Sequence, residues 1–355
     1  MPLLAVNDLS TPALVIDASA LQHNLSAMAA VLPGNRLRPH VKAHKCTELA
    51  AMQYEQGHTG FTCATVREVL GLADAGWGHD LLLANEVVDP RRLADLAHAQ
   101  RTARITIAVD SDQTVDAAAA AGLREVLIDV NVGLPRCGCA PSDAGRLADR
   151  ARSLGLVVRG VMGYEGHLMA VGTDERREGV ASAMALLRQA HELVGGDIVS
   201  TGGTGTYDLH VGTSTAATPV EVQAGSYLLM DSHYTAALQQ HHSTVPFRQA
   251  CWVVGTVISS SATHAVADVG LKALGMDHGA PSLHGYDDHP SNVTTQLRPW
   301  FFSDEHVTFS PPLPVGARIA VTPAHIDPTM AMHHTAWMAM GNQVIDQLPI
   351  DLRNW

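Results

Sequence analysis

The strongest constraint on the fold of this 355-residue chain is a regular alternation of β-rich runs and helix-like segments over its first two thirds. Segments such as 18–32 and 65–76 show helical spacing of apolar residues, and the second opens with Thr65 and Glu68 in a capping-box pattern. This alternation predicts a (β/α)8 TIM-type barrel, with a doubly wound parallel sheet as the alternative. The eight β-rich runs lie near residues 36–42, 60–64, 80–84, 104–109, 125–131, 156–164, 197–200 and 221–229.

The pattern changes after about residue 245. The segments CWVVGTVISS, THAVADVG, HVTFS and ARIAVTPA have the composition of strands and are separated by turns rich in Gly, Pro and Asp, with no convincing helix between them. The sequence therefore predicts a C-terminal antiparallel β domain. We expect the barrel to occupy residues 12–245 and the β domain to comprise residues 1–11 and 246–355.

Composition and charge exclude several classes of protein. Hydrophobic residues make up 46% of the chain and charged residues 16%, which indicates a packed core and not a disordered chain. The formal net charge is −12 and no segment is basic, so we expect no nucleic-acid partner. The chain shows neither a signal-peptide pattern nor an apolar run of about 18 residues, so we expect no membrane association. The odd number of cysteines, five, is typical of structural thiols in a reduced, cytoplasmic protein.

A lysine follows the first β-rich run, at the end of the segment Arg38-Pro-His-Val-Lys42. Catalytic groups of parallel barrels lie just after the carboxyl ends of the strands. Lys42 is therefore a candidate for Schiff-base formation with a carbonyl cofactor, and Lys45 is the alternative. An ordinary surface lysine would also fit the spacing.

An arginine follows the fifth run, in the segment Asp129-Val-Asn-Val-Gly-Leu-Pro-Arg136. A guanidinium group at this place can hold a phenolate or a carboxylate by two parallel hydrogen bonds. Arg136 could equally cap a helix at the surface, and its position alone leaves both interpretations open.

Two glycine-rich turns follow the seventh and eighth runs. Glycines allow backbone N–H groups to approach a phosphate closely, and the loops after strands seven and eight are the usual phosphate site of barrels. The turns therefore indicate phosphate binding, although plain tight turns would have the same composition. The first turn contains Gly202, Gly203, Thr204 and Gly205, and the second contains Gln223, Gly225, Ser226 and Tyr227.

A histidine and an aspartate two residues apart, His325 and Asp327, lie in the predicted β domain. Side chains two apart on an extended segment point to the same side, so both could reach one cation. A histidine with a carboxylate suits Mn²⁺ or Zn²⁺, with Mg²⁺ and Ca²⁺ as alternatives. Such a pair is also common by chance, and this chain contains 20 histidines.

No single one of these motifs is specific for a family, but their combination in this order is. The chain resembles the D-threonine aldolase, 3-hydroxy-D-aspartate aldolase and D-serine dehydratase family, which consists of fold-type III pyridoxal phosphate enzymes built like the alanine racemases. The resemblance covers nearly the whole chain. Its motifs are RPHVKAHK at 38–45, DVNVGLPRCG at 129–138, YEGH at 164–167, GGTGT at 202–206, QAGSY at 223–227, DVGLKA at 268–273 and HIDPT at 325–329.

The resemblance implies a role for each matched residue. Lys42 would form the Schiff base, Arg136 would lie near the phenolic oxygen of the cofactor, and Tyr164 would belong to the cofactor pocket. Racemases of this fold carry an arginine facing the pyridine nitrogen where this chain has the neutral Gln223, which argues against a racemase. Gly203, Thr204, Gly225 and Ser226 match the phosphate-binding turns, and Tyr227 is a further cofactor-binding candidate. His325 and Asp327 match the divalent-metal pair.

The expected function is therefore cleavage of the Cα–Cβ bond of a D-3-hydroxy amino acid, with His167 as a candidate base and Mn²⁺ as the first choice of metal. The alternative is a D-serine-type dehydratase, because the base could instead remove the Cα proton. Family dehydratases tend to carry cysteine where this chain has Asp327, which favours the aldolase. A non-catalytic cofactor-binding protein is a third interpretation, but such proteins lack the β domain. The resemblance also implies a homodimer with shared active sites.

Overall fold

The computed structural model describes residues 4–215 and 219–355, and the chain divides into two compact units. One unit comprises Met28–Lys42, Thr47–Gly225 and Leu352–Trp355, and the other comprises Met1–Ala27, Ala43–Cys46 and Ser226–Asp351. The domain division predicted at residues 11 and 245 stays a prediction. No helix in the described part of the chain is long and apolar enough to cross a membrane.

The helices and strands follow one another in the predicted alternation. The first part of the chain contains β1 (Ala13–Asp17), α1 (Ala18–Val31), α2 (Thr47–Glu55), β2 (Phe61–Cys63), α3 (Val66–Asp74), β3 (Leu81–Leu83), α4 (Pro90–Ala99), β4 (Ile105–Val109), α5 (Asp112–Ala120), β5 (Glu125–Asp129), α6 (Ala144–Ser153), β6 (Val157–Gly163), α7 (Thr173–Val194), β7 (Ile198–Thr201), β8 (Val220–Val222) and α8 (Ser232–His241). The second part contains β9 (Cys251–Ser260), β10 (Ala265–Ala267), β11 (Ser282–Tyr286), β12 (Val293–Phe302), β13 (Val307–Ser310), β14 (Arg318–Thr322), α9 (Ile326–Met332), β15 (Thr335–Met340) and β16 (Gln343–Pro349).

Strands β2 to β8 form a parallel sheet in sequence order, which is the order of a barrel and not of a doubly wound sheet. The segment 37–40 closes this sheet, because Leu37 pairs with Val222 of β8 and His40 pairs with Thr62 of β2. The backbone N–H of Thr62 donates to the carbonyl of Pro39 over 2.9 Å. The prediction of an eight-run barrel with a C-terminal β domain is thereby confirmed.

Side chains of the barrel strands alternate between two apolar clusters, as the pleat of a strand requires. In β3, Leu81 and Leu83 pack in the cluster that contains Val69 and Leu72 of α3. Leu82, between them, packs instead with residues of four other strands. These partners, Ala108, Leu127, Met162 and Ile198, fill the barrel interior, and all five side chains are buried.

A charged network lies at the amino ends of the strands. Arg38 donates to Glu221 over 2.7 Å and to Asp80 over 2.9 Å, and Arg159 donates to Asp80 over 2.7 Å. Burial opposes the charge of Asp80, but the two arginines outweigh it and hold the pKa of this carboxyl well below its ordinary value. The network joins the closing segment 37–40 to β8 and to the residue before β3.

The second unit is built on a nine-stranded sheet in the order β10-β13-β12-β11-β14-β9-β1-β15-β16. Strand β9 also pairs with β10, so the first six strands of this order form a closed antiparallel barrel. Strand β1 pairs antiparallel with β9 and parallel with β15. The predicted β domain is confirmed in its architecture.

The prediction that no helix interrupts the β domain is wrong, because α9 lies between β14 and β15. His325 is the N-cap residue of α9, and Asp327 lies in its first turn. The backbone N–H of Ile326 donates to Asp231 over 2.8 Å, which satisfies one free donor of the helix start. His325 and Asp327 therefore come together at a helix start, and the extended geometry expected for this pair is corrected.

Replacing Arg38 by methionine should lower the free energy of unfolding by about 3–5 kcal/mol, because the buried Glu221 carboxylate loses its charged partner. Urea unfolding of the purified protein measures this change. Arg91→Met is the matched control, since the Arg91 side chain is 92% exposed. The control should change stability by less than about 0.5 kcal/mol. Equal unfolding midpoints for the two variants would contradict the role of the network.

Candidate active site

Lys42 lies in a single helical turn, Val41–Ala43, directly after the segment that closes the barrel. This is the carboxyl end of the first barrel strand, where catalytic groups of parallel barrels are found. Lys45 has a positive φ of 51° and leads into α2, so the two lysines occupy different backbone settings. Lys42 thus lies at the carboxyl end of a barrel strand, and its role as the Schiff-base lysine stays a prediction.

Hydrogen bonds to one buried carboxylate, that of Glu165, hold the turn after β7. Glu165 accepts hydrogen bonds from the Thr206 hydroxyl over 2.7 Å and the Thr201 hydroxyl over 3.1 Å. It also accepts from the backbone N–H of Gly202 over 3.3 Å and pairs with His210 over 2.8 Å. The carboxylate therefore fixes both ends of the predicted phosphate turn.

Glu165 and His210 were not among the residues predicted from the sequence. Both side chains are buried. Burial opposes ionisation of the Glu165 carboxyl. For Glu165 the hydrogen bonds from His210 and Thr206 outweigh burial, so its pKa lies below the ordinary value. In the sequence, the one sign of this role is that Glu165 is a charged residue between Tyr164 and Gly166 in the motif YEGH.

Tyr164 is enclosed by two glycines that a larger residue could not replace without moving the ring. A Cβ atom added to Gly203 would lie 3.1 Å from Cε2 of Tyr164, and one added to Gly166 would overlap the ring. The guanidinium carbon of Arg136 lies 5.6 Å from the centre of the Tyr164 ring, within cation–π range. The structure therefore brings Arg136, Tyr164 and Gly203 together.

His167, the candidate base, lies in the turn Gly166–Leu168 and is exposed. Its ring packs over Gly133, where an added Cβ would lie 3.1 Å from Nε2 of the imidazole. Gly133 has a φ of +121°, and the loop that contains it also carries Arg136. His167 is thus placed on the same loop cluster as Arg136 and Tyr164.

Gln223 follows β8 directly, and its side-chain amide donates to the Ser200 hydroxyl over 2.8 Å. The position carries no charge, and the contact ties the second glycine turn to β7. Thr204 in the first turn is almost completely buried, at 2% exposure. Gly225 ends one compact unit, and Ser226 begins the other.

In the second unit the hydroxyl of Ser226 donates to Asp327 over 3.2 Å. Tyr227 is fully buried, and its ring packs against Phe247 with 5.6 Å between ring centres. Ser226 is therefore in direct contact with Asp327 of the predicted metal pair, although the two residues are far apart in the sequence.

His325 lies between two carboxylates. Its Nε2 is 3.7 Å from Asp327, and its Nδ1 is 2.7 Å from Asp277. Burial would lower the pKa of His325, but the two carboxylates outweigh it and raise the pKa to about 9. Asp277, His278 and His325 present donor atoms within 4.8 Å of one another, and neither Asp277 nor His278 was predicted from the sequence.

Asp231 is a further residue that sequence reasoning missed. It accepts from the backbone N–H of Tyr234 over 2.7 Å at the start of α8 and from that of Ile326 at the start of α9. Burial is the largest influence on this carboxyl and raises its pKa to about 7. Asp231 thereby sets the backbone position of the predicted metal pair.

The cysteines near Arg136 do not have the character of reactive thiols. Burial raises the pKa of Cys137 to about 11 and that of Cys139 to about 12. Burial also raises the pKa of the neighbouring Asp129, and the nearby carboxylate of Glu86 adds to this effect, so that the pKa of Asp129 is about 8. Without a bound cation, Cys137 and Cys139 are therefore neutral thiols at neutral pH.

These residues fit both a phosphate-bearing cofactor and a divalent ion. The turn after β7 is rich in glycine, which lets backbone N–H groups approach a phosphate, and Glu165 fixes its conformation. The imidazole of His325 and the carboxylate of Asp327 form the mixed nitrogen and oxygen donor set that suits a borderline divalent metal.

Comparison with known proteins identifies the family. Residues 16–233 match the family described as "Alanine racemase, N-terminal domain", and residues 250–339 match one described as "Putative serine dehydratase domain". The chain belongs to this alanine racemase-like family. The family consists of pyridoxal phosphate-dependent enzymes, and the relatives found here are lyases.

Several relatives align over most of the chain. A D-threonine aldolase of Arthrobacter sp is 34% identical over 91% of this chain and 87% of the relative. A 3-hydroxy-D-aspartate aldolase of Paracoccus denitrificans (strain Pd 1222) is 28% identical over 94% of this chain and 89% of the relative. The crystal structure of a D-threonine aldolase from Filomicrobium marinum has a TM-score of 0.87 and 31% identity, and the match covers 99% of this chain and 98% of that one.

Replacing Gly203 by alanine should weaken the binding of pyridoxal phosphate about 10-fold, or about 1.4 kcal/mol, because the added methyl group would displace Tyr164 or the turn. Titration of the apoprotein with the cofactor, followed by absorbance, measures the dissociation constant. Gly172→Ala is the control, since a Cβ there meets no atom within 4 Å. An unchanged dissociation constant for Gly203→Ala would remove this turn from the cofactor site.

Proposed function

We propose that the chain is a pyridoxal phosphate- and divalent-metal-dependent aldolase that cleaves the Cα–Cβ bond of a D-threonine-like 3-hydroxy amino acid, giving glycine or a related amino acid and an aldehyde. The observation that carries the proposal is the carboxylate of Asp327, held by Ser226 beside His325. The aldolases among the relatives support the choice of reaction.

Residues of the barrel would bind the cofactor. Pyridoxal phosphate, when bound, accepts the electron pair released as the Cα–Cβ bond breaks. Lys42 would supply the amine that binds the carbonyl carbon of the cofactor, and the turn with Gly203 and Thr204 would hold the phosphate. Arg136 would face the phenolic oxygen, and Gln223 would leave the opposite edge of the ring without a cationic partner.

Three side chains would act on the hydroxyl group of the substrate. His325 and Asp327 would hold the divalent ion, which as a Lewis acid lowers the pKa of a bound hydroxyl. We assign Mn²⁺ first, because imidazole and carboxylate donors suit it. His167 would accept the proton of the β-hydroxyl, and its exposure leaves it open to exchange that proton with solvent.

A dehydratase is the second candidate. A D-threo-3-hydroxyaspartate dehydratase of Delftia sp. (strain HT23) is 30% identical over 76% of this chain and 74% of the relative. The same residues would then serve removal of the Cα proton and loss of the hydroxyl group, with a 2-oxo acid and ammonia as products. The homodimer and the cytoplasmic location expected from the sequence stay predictions.

With D-threonine and Mn²⁺ the purified protein should release an aldehyde, and Lys42→Ala should lose both this activity and the visible absorbance of the bound cofactor. The reason is that Lys42 supplies the amine for the cofactor. Lys45→Ala is the matched control and should retain both properties. Release of a 2-oxo acid with ammonia would establish the dehydratase instead. Loss of the absorbance in the Lys45 variant alone would show that the wrong lysine was chosen.

Asp327→Ala should lower the metal-stimulated rate by more than about 100-fold, because loss of a residue that only supports a metal ligand already costs about 10–100-fold. The rate is measured with and without added Mn²⁺ after treatment with a chelator. Asp346→Ala, at an exposed aspartate of the same unit, should behave like the unchanged protein. Full metal stimulation in Asp327→Ala would remove the metal assignment.

A further inference from the structure

We propose that Asp277 is a positioning residue that orients the imidazole of His325, so that Nε2 of this ring faces the divalent ion and Asp327. The inference deepens the proposed function and rests on its metal pair. Asp277 and His325 are 48 residues apart in the sequence, and their contact exists only in the folded unit.

The contact between Asp277 and His325 has the length of a hydrogen bond. Oδ2 of Asp277 lies 2.7 Å from Nδ1 of His325. Two ligand atoms at about 2.1 Å from a shared ion lie roughly 3 Å or more apart, so an ion does not fit between these two atoms. Nδ1 therefore donates its hydrogen to Asp277. An ion that binds Nε2 would displace the proton of that nitrogen, and Nδ1 would keep its hydrogen bond to Asp277.

The opposite edge of the ring has the spacing of a ligand pair. Nε2 of His325 lies 3.7 Å from Oδ2 of Asp327, which is longer than a hydrogen bond. Two atoms each about 2.1 Å from a common ion can be up to about 4.2 Å apart. The two edges of the imidazole thus have different partners, a hydrogen-bond acceptor on one side and a second ligand on the other.

Backbone contacts bring Asp277 to His325 without help from a metal. Gly275 pairs antiparallel with His325, and its N–H donates to the Thr329 hydroxyl over 2.9 Å. That hydroxyl donates in turn to the carbonyl of His325 over 2.7 Å. A Cβ atom at Gly275 would overlap Pro328, so the close approach of the two segments requires glycine there. Asp277 is therefore in place before an ion binds.

Neighbouring rings restrict the His325 imidazole further. His278 packs edge-on against His325 with 4.4 Å between ring centres, and it stacks on His233 at 4.3 Å. Nε2 of His278 lies 3.6 Å from Asp277. A site in which Asp277 and His278 are themselves ligands is the competing arrangement, and the hydrogen-bond length between Asp277 and His325 argues against it.

The test measures Mn²⁺ binding to the cofactor-loaded protein by isothermal titration calorimetry, with the absorbance of the bound cofactor as a second reading. Asp277→Ala should raise the dissociation constant of Mn²⁺ by about 10–100-fold, the usual effect of losing the acceptor behind a ligating histidine. Asp277→Asn should raise it by no more than about 3-fold, because the amide oxygen still accepts from Nδ1. Asp288→Ala, at an exposed aspartate of the same unit, is the control and should bind as the unchanged protein does.

Each other outcome would overturn the assignment. Unchanged Mn²⁺ affinity in Asp277→Ala would show that His325 needs no support from Asp277. An equal loss in Asp277→Asn and Asp277→Ala would show that Asp277 acts through its charge as a direct ligand. If Asp327→Ala also binds Mn²⁺ normally, the metal pair itself is wrong and the proposed function fails with it. A loss in Asp327→Ala with no loss in Asp277→Ala would overturn the positioning role alone.

Discussion

The buried carboxylate of Glu165 is the interaction on which the geometry of the barrel site depends. A buried carboxylate is costly unless each oxygen meets a donor, and Glu165 meets four of them. Three of these donors belong to the stretch from Thr201 to Thr206. These hydrogen bonds form when the chain folds, and they fix the turn after β7 in one conformation. A ligand that binds there therefore does not bear the entropic cost of ordering the turn.

Tyr164, the residue before Glu165, is held in place by the hydrogen bonds that fix Glu165. Because Glu165 is held inward, Tyr164 is presented against the backbone of Gly203, and a glycine on each side leaves the ring its space. Arg136 then packs over the ring. Three residues that the sequence singled out for separate reasons are thus arranged by a fourth that it did not single out.

The barrel could be predicted because its pattern is local, since each strand and its following helix show their periodicity within a few residues. Even the run near 36–42, which makes only bridges at Leu37 and His40, has this local pattern. Helix α9 could not be predicted in this way. It has seven residues, and its first N–H is satisfied by Asp231, 95 residues earlier. The partners Glu165 with His210 and Asp277 with His325 are likewise joined only by the fold.

The start of α9 depends on the stretch that follows the second glycine turn. Ser226 donates to the carboxylate of Asp327, and Asp231, at the end of the same stretch, accepts from Ile326. Asp327 is therefore a hydrogen-bond acceptor for the turn as well as the proposed ligand of a divalent ion. A thiol at this position, which the resemblance gives for the dehydratases, is a weak acceptor and would loosen the contact with Ser226. Exchange of carboxylate for thiol would thus alter the turn and the proposed metal site together.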